Sequence, residues 1–176
     1  VDRPLGETDL SGCREAFVSR VSRSHQAHVS TSELLDAWTR SEDQLNQSQE
    51  AGIQAFSFHD GGYPKRLRKI PDPPAVLFVK GKPDGLHATR RLAIVGTREP
   101  TLYGEEVAQR SGRTAAEVGF VVVSGLAHGC DAFAHKGCLE AHGVGVAILA
   151  HGLDKVYPAA NRDLAERLLE EGGCLV

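Results

Sequence analysis

The sequence predicts an α/β protein built on a doubly wound parallel sheet, with a small helical appendage at its N-terminus. Two observations carry this. Val121-Val122-Val123 is an apolar, β-branched run with no polar alternation, as in a strand covered on both faces. From Leu92 onward, strand-like and helix-like segments alternate with short connections, an order that implies right-handed crossovers between parallel neighbours.

In chain order, Ser30-Thr31-Ser32-Glu33 matches a capping box, and Leu34, Leu35, Trp38 and Leu45 recur at helical spacing, which predicts a helix over 31–50. Polar residues from Arg40 to Glu50, then Gly52, Gly61 and Gly62, place a boundary near residue 50. A short strand is expected over 53–58. Pro64, Pro71, Pro73 and Pro74 exclude regular structure until a second strand over 75–79, which Gly81 and Pro83 end. The regular part follows: strand 92–96, helix 103–118, strand 120–124, helix 130–142, strand 144–149, helix 160–171 and a strand beginning at Cys174. Val107, Ser111, Thr114, Ala115 and Val118 share one face of the first of these helices and are assigned to the core. The organisation is therefore an appendage over 1–50, a basic extension over 51–91 and the sheet core over 92–176.

The 176 residues, 41% of them hydrophobic, suffice for one domain with a real core. No apolar run approaches the roughly 20 residues of a membrane span and no signal-peptide pattern opens the chain, so a cytoplasmic location without membrane association is expected. The missing initiator Met suggests an excerpt from a longer chain. Cys13, Cys130, Cys138 and Cys174 form no C-x-x-C pair and are read as reduced thiols. The formal charge is −3, but residues 51–91 hold Lys65, Arg66, Arg68, Lys69, Lys80, Lys82, Arg90 and Arg91 against three acids. A local basic path over Lys65, Arg66, Arg68 and Lys69 is thus compatible with an acidic whole.

Ligands of parallel sheets bind outside the carboxyl ends of the strands. Three such ends read Gly96-Thr97-Arg98, Ser124-Gly125-Leu126-Ala127 and Ala150-His151-Gly152, all rich in small residues. Small residues admit a ligand to the backbone, and helix N-termini supply N–H groups and partial positive charge, a combination suited to phosphate. Arg98 adds a side chain able to fork onto a phosphate or stack on a base. A dinucleotide enzyme is disfavoured, because Gly96-Thr97-Arg98 does not make G-x-G-x-x-G and the second strand ends in Ser124-Gly125 rather than an acid. His128, Asp131 and His135 could share one side of a helix. Asp131 is read first as capping free N–H groups and His135 as a hydrogen-bonded packing residue, so no metal site is assigned. No catalytic triad, paired carboxylates or metalloprotease motif occurs.

Tyr63-Pro64-Lys65-Arg66-Leu67, Pro74-Ala75-Val76-Leu77-Phe78, "LAIVGTREPTLYG", "VVVSGLAHGCDAFAHKG" and "GLDKVYPAAN" together resemble the DNA processing protein A (DprA, Smf) family over about residues 52–176. The resemblance implies a Rossmann-like core and single-stranded DNA binding. It further implies delivery of that DNA to the RecA recombinase in natural transformation, a homodimer in the complete protein, no cofactor and no catalytic turnover. Residue by residue, it implies a glycine-rich pocket of Gly96, Thr97, Arg98, Ser124, Gly125, Ala127, Gly129, Asp131, His135, Gly152, Tyr157, Pro158 and Asn161, in which Asp131 and His135 brace the loop after Ser124. Ala159 stands where family members often carry a basic residue. The family pattern also continues past Val176 into further parts of the base pocket and dimer surface. Two other readings share the phosphate cradle: a small-nucleotide sensor and a nucleoside-monophosphate hydrolase. The P-G-G-x-G-T-x-x-E signature of the latter does not occur here.

Overall fold

Ser30 starts the first helix, and it does so reciprocally: its hydroxyl accepts from the Glu33 N–H at 3.2 Å while the Glu33 carboxylate accepts from the Ser30 N–H at 2.8 Å. The computed structural model describes residues 30–176, so residues 1–29 of the expected appendage, Cys13 among them, lie outside the described residues. Helix α1 (Thr31–Glu50) follows, with Leu34 buried and Trp38 and Leu45 half-buried, whereas Leu35 faces solvent. Gly52 then turns the chain with φ +69° into β1 (Ile53–Ser57).

β1 pairs antiparallel with β2 (Val76–Gly81), from Ile53 opposite Lys80 to Ser57 opposite Val76. The prolines keep the connection irregular apart from one 3₁₀ turn at Leu67–Lys69. That connection is nonetheless anchored. Tyr63 is fully buried and its hydroxyl donates to the Pro74 carbonyl at 2.8 Å.

Beyond the short helix α2 (Asp84–His87) the predicted alternation is present: β3 (Arg91–Ala93), α3 (Leu102–Glu117), β4 (Val121–Ser124), α4 (Cys130–Glu140), β5 (Gly145–Ala147), α5 (Arg162–Glu170) and β6 (Cys174–Leu175). The six strands form one sheet in the order β1-β2-β6-β5-β4-β3, with β3 to β6 parallel and β2 antiparallel to β6. The fold is thus α/β and mixed, its parallel part extended by an antiparallel pair at one edge.

Several elements are shorter than the sequence predicts. Ile94 and Ile148 still bond to the neighbouring strand at Val123 and Ser124, but the chain swings out directly after them, leaving Val95 exposed. α4 stops at Glu140 because His142 takes a left-handed φ of +51° and the Gly143 N–H folds back to the Cys138 carbonyl. A 3₁₀ turn at Ala159–Asn161 precedes α5.

Side-chain alternation divides the core between two faces of the sheet. On one, Val122, Ala147 and Leu175 meet Ala115 of α3, Ala134, Cys138 and Leu139 of α4, and Leu164 and Leu168 of α5. On the other, Val146, Cys174, Leu77 and Val79 meet Tyr63 and Leu86, contributed by the irregular segment and α2. Successive right-handed crossovers between strands lying in sequence order put α3, α4 and α5 on the same side. Among the described residues, the second layer is therefore the proline-rich segment and α2.

Helices α3 and α4 touch backbone to backbone. A Cβ on Gly112 would lie 2.0 Å from the Ala134 carbonyl oxygen, and one on Gly137 would lie 1.8 Å from that of Gln109. Arg113 of α3 and Glu140 of α4 add an exposed ion pair at the rim. This contact sets the N-termini of the two helices side by side at the carboxyl edge of the sheet, where the first two loops run.

Candidate nucleic-acid interface

Three loops, 94–101, 125–129 and 148–161, leave the carboxyl ends of β3, β4 and β5, and they are fastened to one another. The Ser124 hydroxyl donates to the Ile94 carbonyl at 2.6 Å, and the Cys130 N–H donates to the Thr97 carbonyl at 3.1 Å, tying the first loop to the second. Gly129 packs against the same stretch: a Cβ there would lie 2.3 Å from the Thr97 oxygen, and its φ of +75° is one that side chains rarely adopt. Gly96 is equally confined, since a Cβ would come within 2.6 Å of the Cys130 sulfur.

The second loop is braced from the helix that follows it. The Gly125 N–H donates to Asp131 Oδ2 at 3.1 Å, and a Cβ on Gly125 would approach that oxygen to 2.6 Å. Asp131 thus reaches back to the strand end instead of capping its own helix. Gly129, the N-cap of α4, supplies no side chain to the first turn, and the Asp131 and Ala132 N–H groups have no protein acceptor among the described residues. Leu126, fully buried with φ +56°, holds the bend.

The third loop is clamped by Asn161. Its buried amide donates to the carbonyls of Leu126 at 2.9 Å and Ala127 at 3.2 Å. Tyr157 projects into solvent from the same loop, and Gly152 is exposed beside it.

The residues implied by the resemblance therefore gather at one edge, but in two tiers. Gly96, Thr97, Arg98, Gly152 and Tyr157 lie at the surface, with Gly125, Ala127 and Gly129 half-exposed. Ser124, Asp131, His135, Asn161 and Pro158 lie beneath. Arg98 makes no hydrogen bond or ion pair within the described residues, so its guanidinium is free for a ligand.

His135 departs from expectation. It is fully buried against Gly145, and neither ring nitrogen meets a hydrogen-bond partner in good geometry. Burial pushes its pKa down to about 4, overcoming the smaller opposing influences of the Asp131 carboxylate and the Ser124 backbone, so the ring is neutral at pH 7. It supports the site as packing and presents nothing to the surface. His128, by contrast, is exposed, and among the described residues no three His, Cys, Asp or Glu side chains converge as metal ligands would.

The basic path is also revised. Arg68 is half-buried, bonds the Asp60 carbonyl and lies over the rings of Phe58 and Tyr63 at 5.8 and 5.6 Å, so it holds the irregular segment together and is not available to a strand. Lys65, Arg66 and Lys69 remain exposed. Sequence reasoning missed this stack, as well as the Asn161 clamp; a Phe, a Tyr and an Arg within eleven residues of proline-rich chain were the available signal.

Comparison with known proteins gives a consistent answer. The family model described as DNA recombination-mediator protein A matches residues 54–176. The chain is 39% identical to protein Smf of Synechocystis over 131 residues, 73% of this chain and 33% of that protein. It is 40% identical to DNA processing protein DprA of Bacillus subtilis over 119 residues, 68% and 40% of the two chains. Protein Smf of Escherichia coli is 42% identical over 114 residues, 65% and 30%. The chain thus spans 30–40% of the length of these relatives. Among solved structures, DNA processing protein A of Streptococcus pneumoniae is similar with a TM-score of 0.67 and 26% identity, covering 95% of this chain and 62% of that one. The protein of the same name from Helicobacter pylori, described for its unique single-stranded DNA binding mode, is similar with a TM-score of 0.60 and 27% identity, covering 70% and 54%.

Proposed function

Because the chain belongs to the DNA recombination-mediator protein A family, we propose that it binds single-stranded DNA at the carboxyl edge of its sheet and passes that DNA to the RecA recombinase during DNA uptake and recombination. The observation that carries the reading is the two-tier construction of the site. The polar side chains of Ser124, Asp131 and Asn161 beneath the loops are turned inward, and the solvent-facing tier combines glycine-rich backbone with Arg98 and Tyr157, alongside Thr97, Glu99, His128, Asp154 and Lys155. Such a surface suits a ligand that offers phosphates to N–H groups and bases to flat side chains.

Arg98 supplies the fixed charge and Lys65, Arg66 and Lys69 extend it along the strand. A homodimer presents two such edges to one DNA molecule. The proposed activity is binding without turnover.

The deciding experiment is a titration of the chain with a labelled single-stranded oligonucleotide in competition with mononucleotides. The oligonucleotide is expected to bind and mononucleotides to compete only at far higher concentration. Competition at equal concentration would overturn the reading in favour of a small-nucleotide site.

A further inference from the structure

We propose that His151 is a positioning residue that keeps Tyr157 ready to stack on a base, an inference that rests on reading Tyr157 as part of a single-stranded DNA surface. Tyr157 is 71% exposed near the end of the third loop. Leu153 and Val156 tie that loop to the core by burial, which fixes its depth but not the direction in which the next residue points. Direction comes from hydrogen bonds. Among the described residues, those of Tyr157 run to a single side chain, the imidazole of His151.

His151 is engaged at both ends. Its Nδ1 lies 2.8 Å from the Gly152 carbonyl oxygen, and its Nε2 lies 3.3 Å from both the main-chain nitrogen and the main-chain oxygen of Tyr157. A carbonyl oxygen only accepts, so Nδ1 carries the proton of the neutral ring, and the bare Nε2 then accepts from the Tyr157 N–H. The rings of His151 and Tyr157 also meet perpendicular to each other, with centroids 6.5 Å apart and planes at 89°. One side chain thus sets both where the phenol starts and how it is turned.

A phenol on an unrestrained loop has to be ordered when a base arrives, and that cost is subtracted from the stacking energy. With Tyr157 fastened to His151, part of the ordering is complete in the free protein. His151 itself has both ring nitrogens committed within the loop, so it acts on DNA through Tyr157 and not by a contact of its own.

Substitution separates the two ends of the ring. His151→Gln puts an amide oxygen near the place of Nε2 and can still accept from the Tyr157 N–H, His151→Asn reaches only the place of Nδ1, and His151→Ala keeps neither contact. Affinity for single-stranded oligodeoxythymidylate is measured by fluorescence anisotropy for these variants of the full chain, for Tyr157→Ala, and for Tyr157→Ala combined with His151→Ala. The Ala and Asn variants at position 151 are expected to bind about three- to tenfold more weakly, part of what a lost stacked base costs, and His151→Gln to bind close to wild type. Adding His151→Ala to Tyr157→Ala should bring no further loss. Equal losses for His151→Asn and His151→Gln, or additive losses in the double variant, would overturn the positioning role. Wild-type affinity in Tyr157→Ala would instead overturn the stacking reading and the inference with it. NMR of the free chain at mildly alkaline pH reads the contact without DNA: the His151 ring should carry its proton on Nδ1, and the order parameter of the Tyr157 amide should drop in His151→Ala and recover in His151→Gln. A proton on Nε2, or an order parameter that His151→Ala leaves unmoved, would overturn the inference whatever the affinities do.

Discussion

Asn161 holds Leu126 in place. The amide of Asn161 donates to the Leu126 carbonyl at 2.9 Å across thirty-five residues of chain, and Leu126 is at once fully buried and left-handed at φ +56°. A strained bend and its clamp are thus in direct contact. Asn161→Ala should destabilise the fold by about 1–3 kcal/mol, since two buried carbonyls lose their donor. Chemical denaturation measures it. Asn161→Asp, which keeps the size but cannot donate, should cost at least as much, and equal stability of both variants with wild type would refute the clamp.

Arg98 should behave in the opposite way. It is exposed and unpaired among the described residues, so Arg98→Ala is expected to leave the denaturation midpoint unchanged while weakening single-stranded DNA binding by about 1–3 kcal/mol, the range of a charge-assisted phosphate contact or a base stack. Fluorescence anisotropy at moderate salt gives the affinity. A loss of stability in place of affinity would move Arg98 out of the binding surface.

Salt dependence separates the free cations from the committed one. Replacing Lys65, Arg66 and Lys69 with Ser should flatten the slope of log affinity against log salt by up to about 2 units, at roughly 0.7 per neutralised phosphate on a single strand. Arg68→Ser should instead lower stability, because Arg68 bridges Phe58, Tyr63 and the Asp60 carbonyl. Parallel salt plots for the wild type and the triple variant would exclude the basic path.

Acid should expose His135. Its folded pKa of about 4 lies below the ordinary 6.5, so the unfolded chain binds the proton more tightly. The stability associated with a neutral ring is complete above pH 6.5, declines as the pH falls from there, and is lost once it passes 4. The gap sets an upper bound of about 3 kcal/mol. His135→Gln should remove this component, and denaturation midpoints of the two proteins between pH 7 and pH 4 should converge if the ring is the source. A constant difference across that range would place the acid sensitivity elsewhere.

Much of this was legible because periodicity and capping are local. The Ser30–Glu33 box set the start of α1, and the Val121–Val123 run marked a strand paired on both sides, buried at Val122 and Ser124 on one face and half-buried at Val121 and Val123 on the other. The clustering of Gly96, Ser124, Gly125 and Gly152 at one edge followed from parallel order alone. What stayed hidden depends on contacts distant in sequence. Arg68 looked like one more solvent-facing cation until Phe58 and Tyr63 were seen beneath it, and nothing near Asn161 announced that its partner would be Leu126. His135 reads in the sequence as a hydrogen-bonded packing residue of the pocket, whereas the structure buries it against Gly145 with neither ring nitrogen hydrogen-bonded. The antiparallel attachment of β2 to β6 was equally invisible, because strand pairing leaves no mark in either segment.

The glycine seam between α3 and α4 has an entropic consequence. With Gly112 and Gly137 pressed against the opposite backbone, the two helices cannot slide or rotate separately, and the loops at their N-termini keep a fixed spacing before any ligand arrives. On the proposed reading, a strand docking there would meet loops whose spacing is already set, so the ordering cost of association would fall on the flexible nucleic acid rather than on the protein. Widening that seam by a single methyl group at Gly137 would therefore be felt not only as lost packing but, on the proposed reading, as slower, looser engagement of DNA at loops that the substitution never touches.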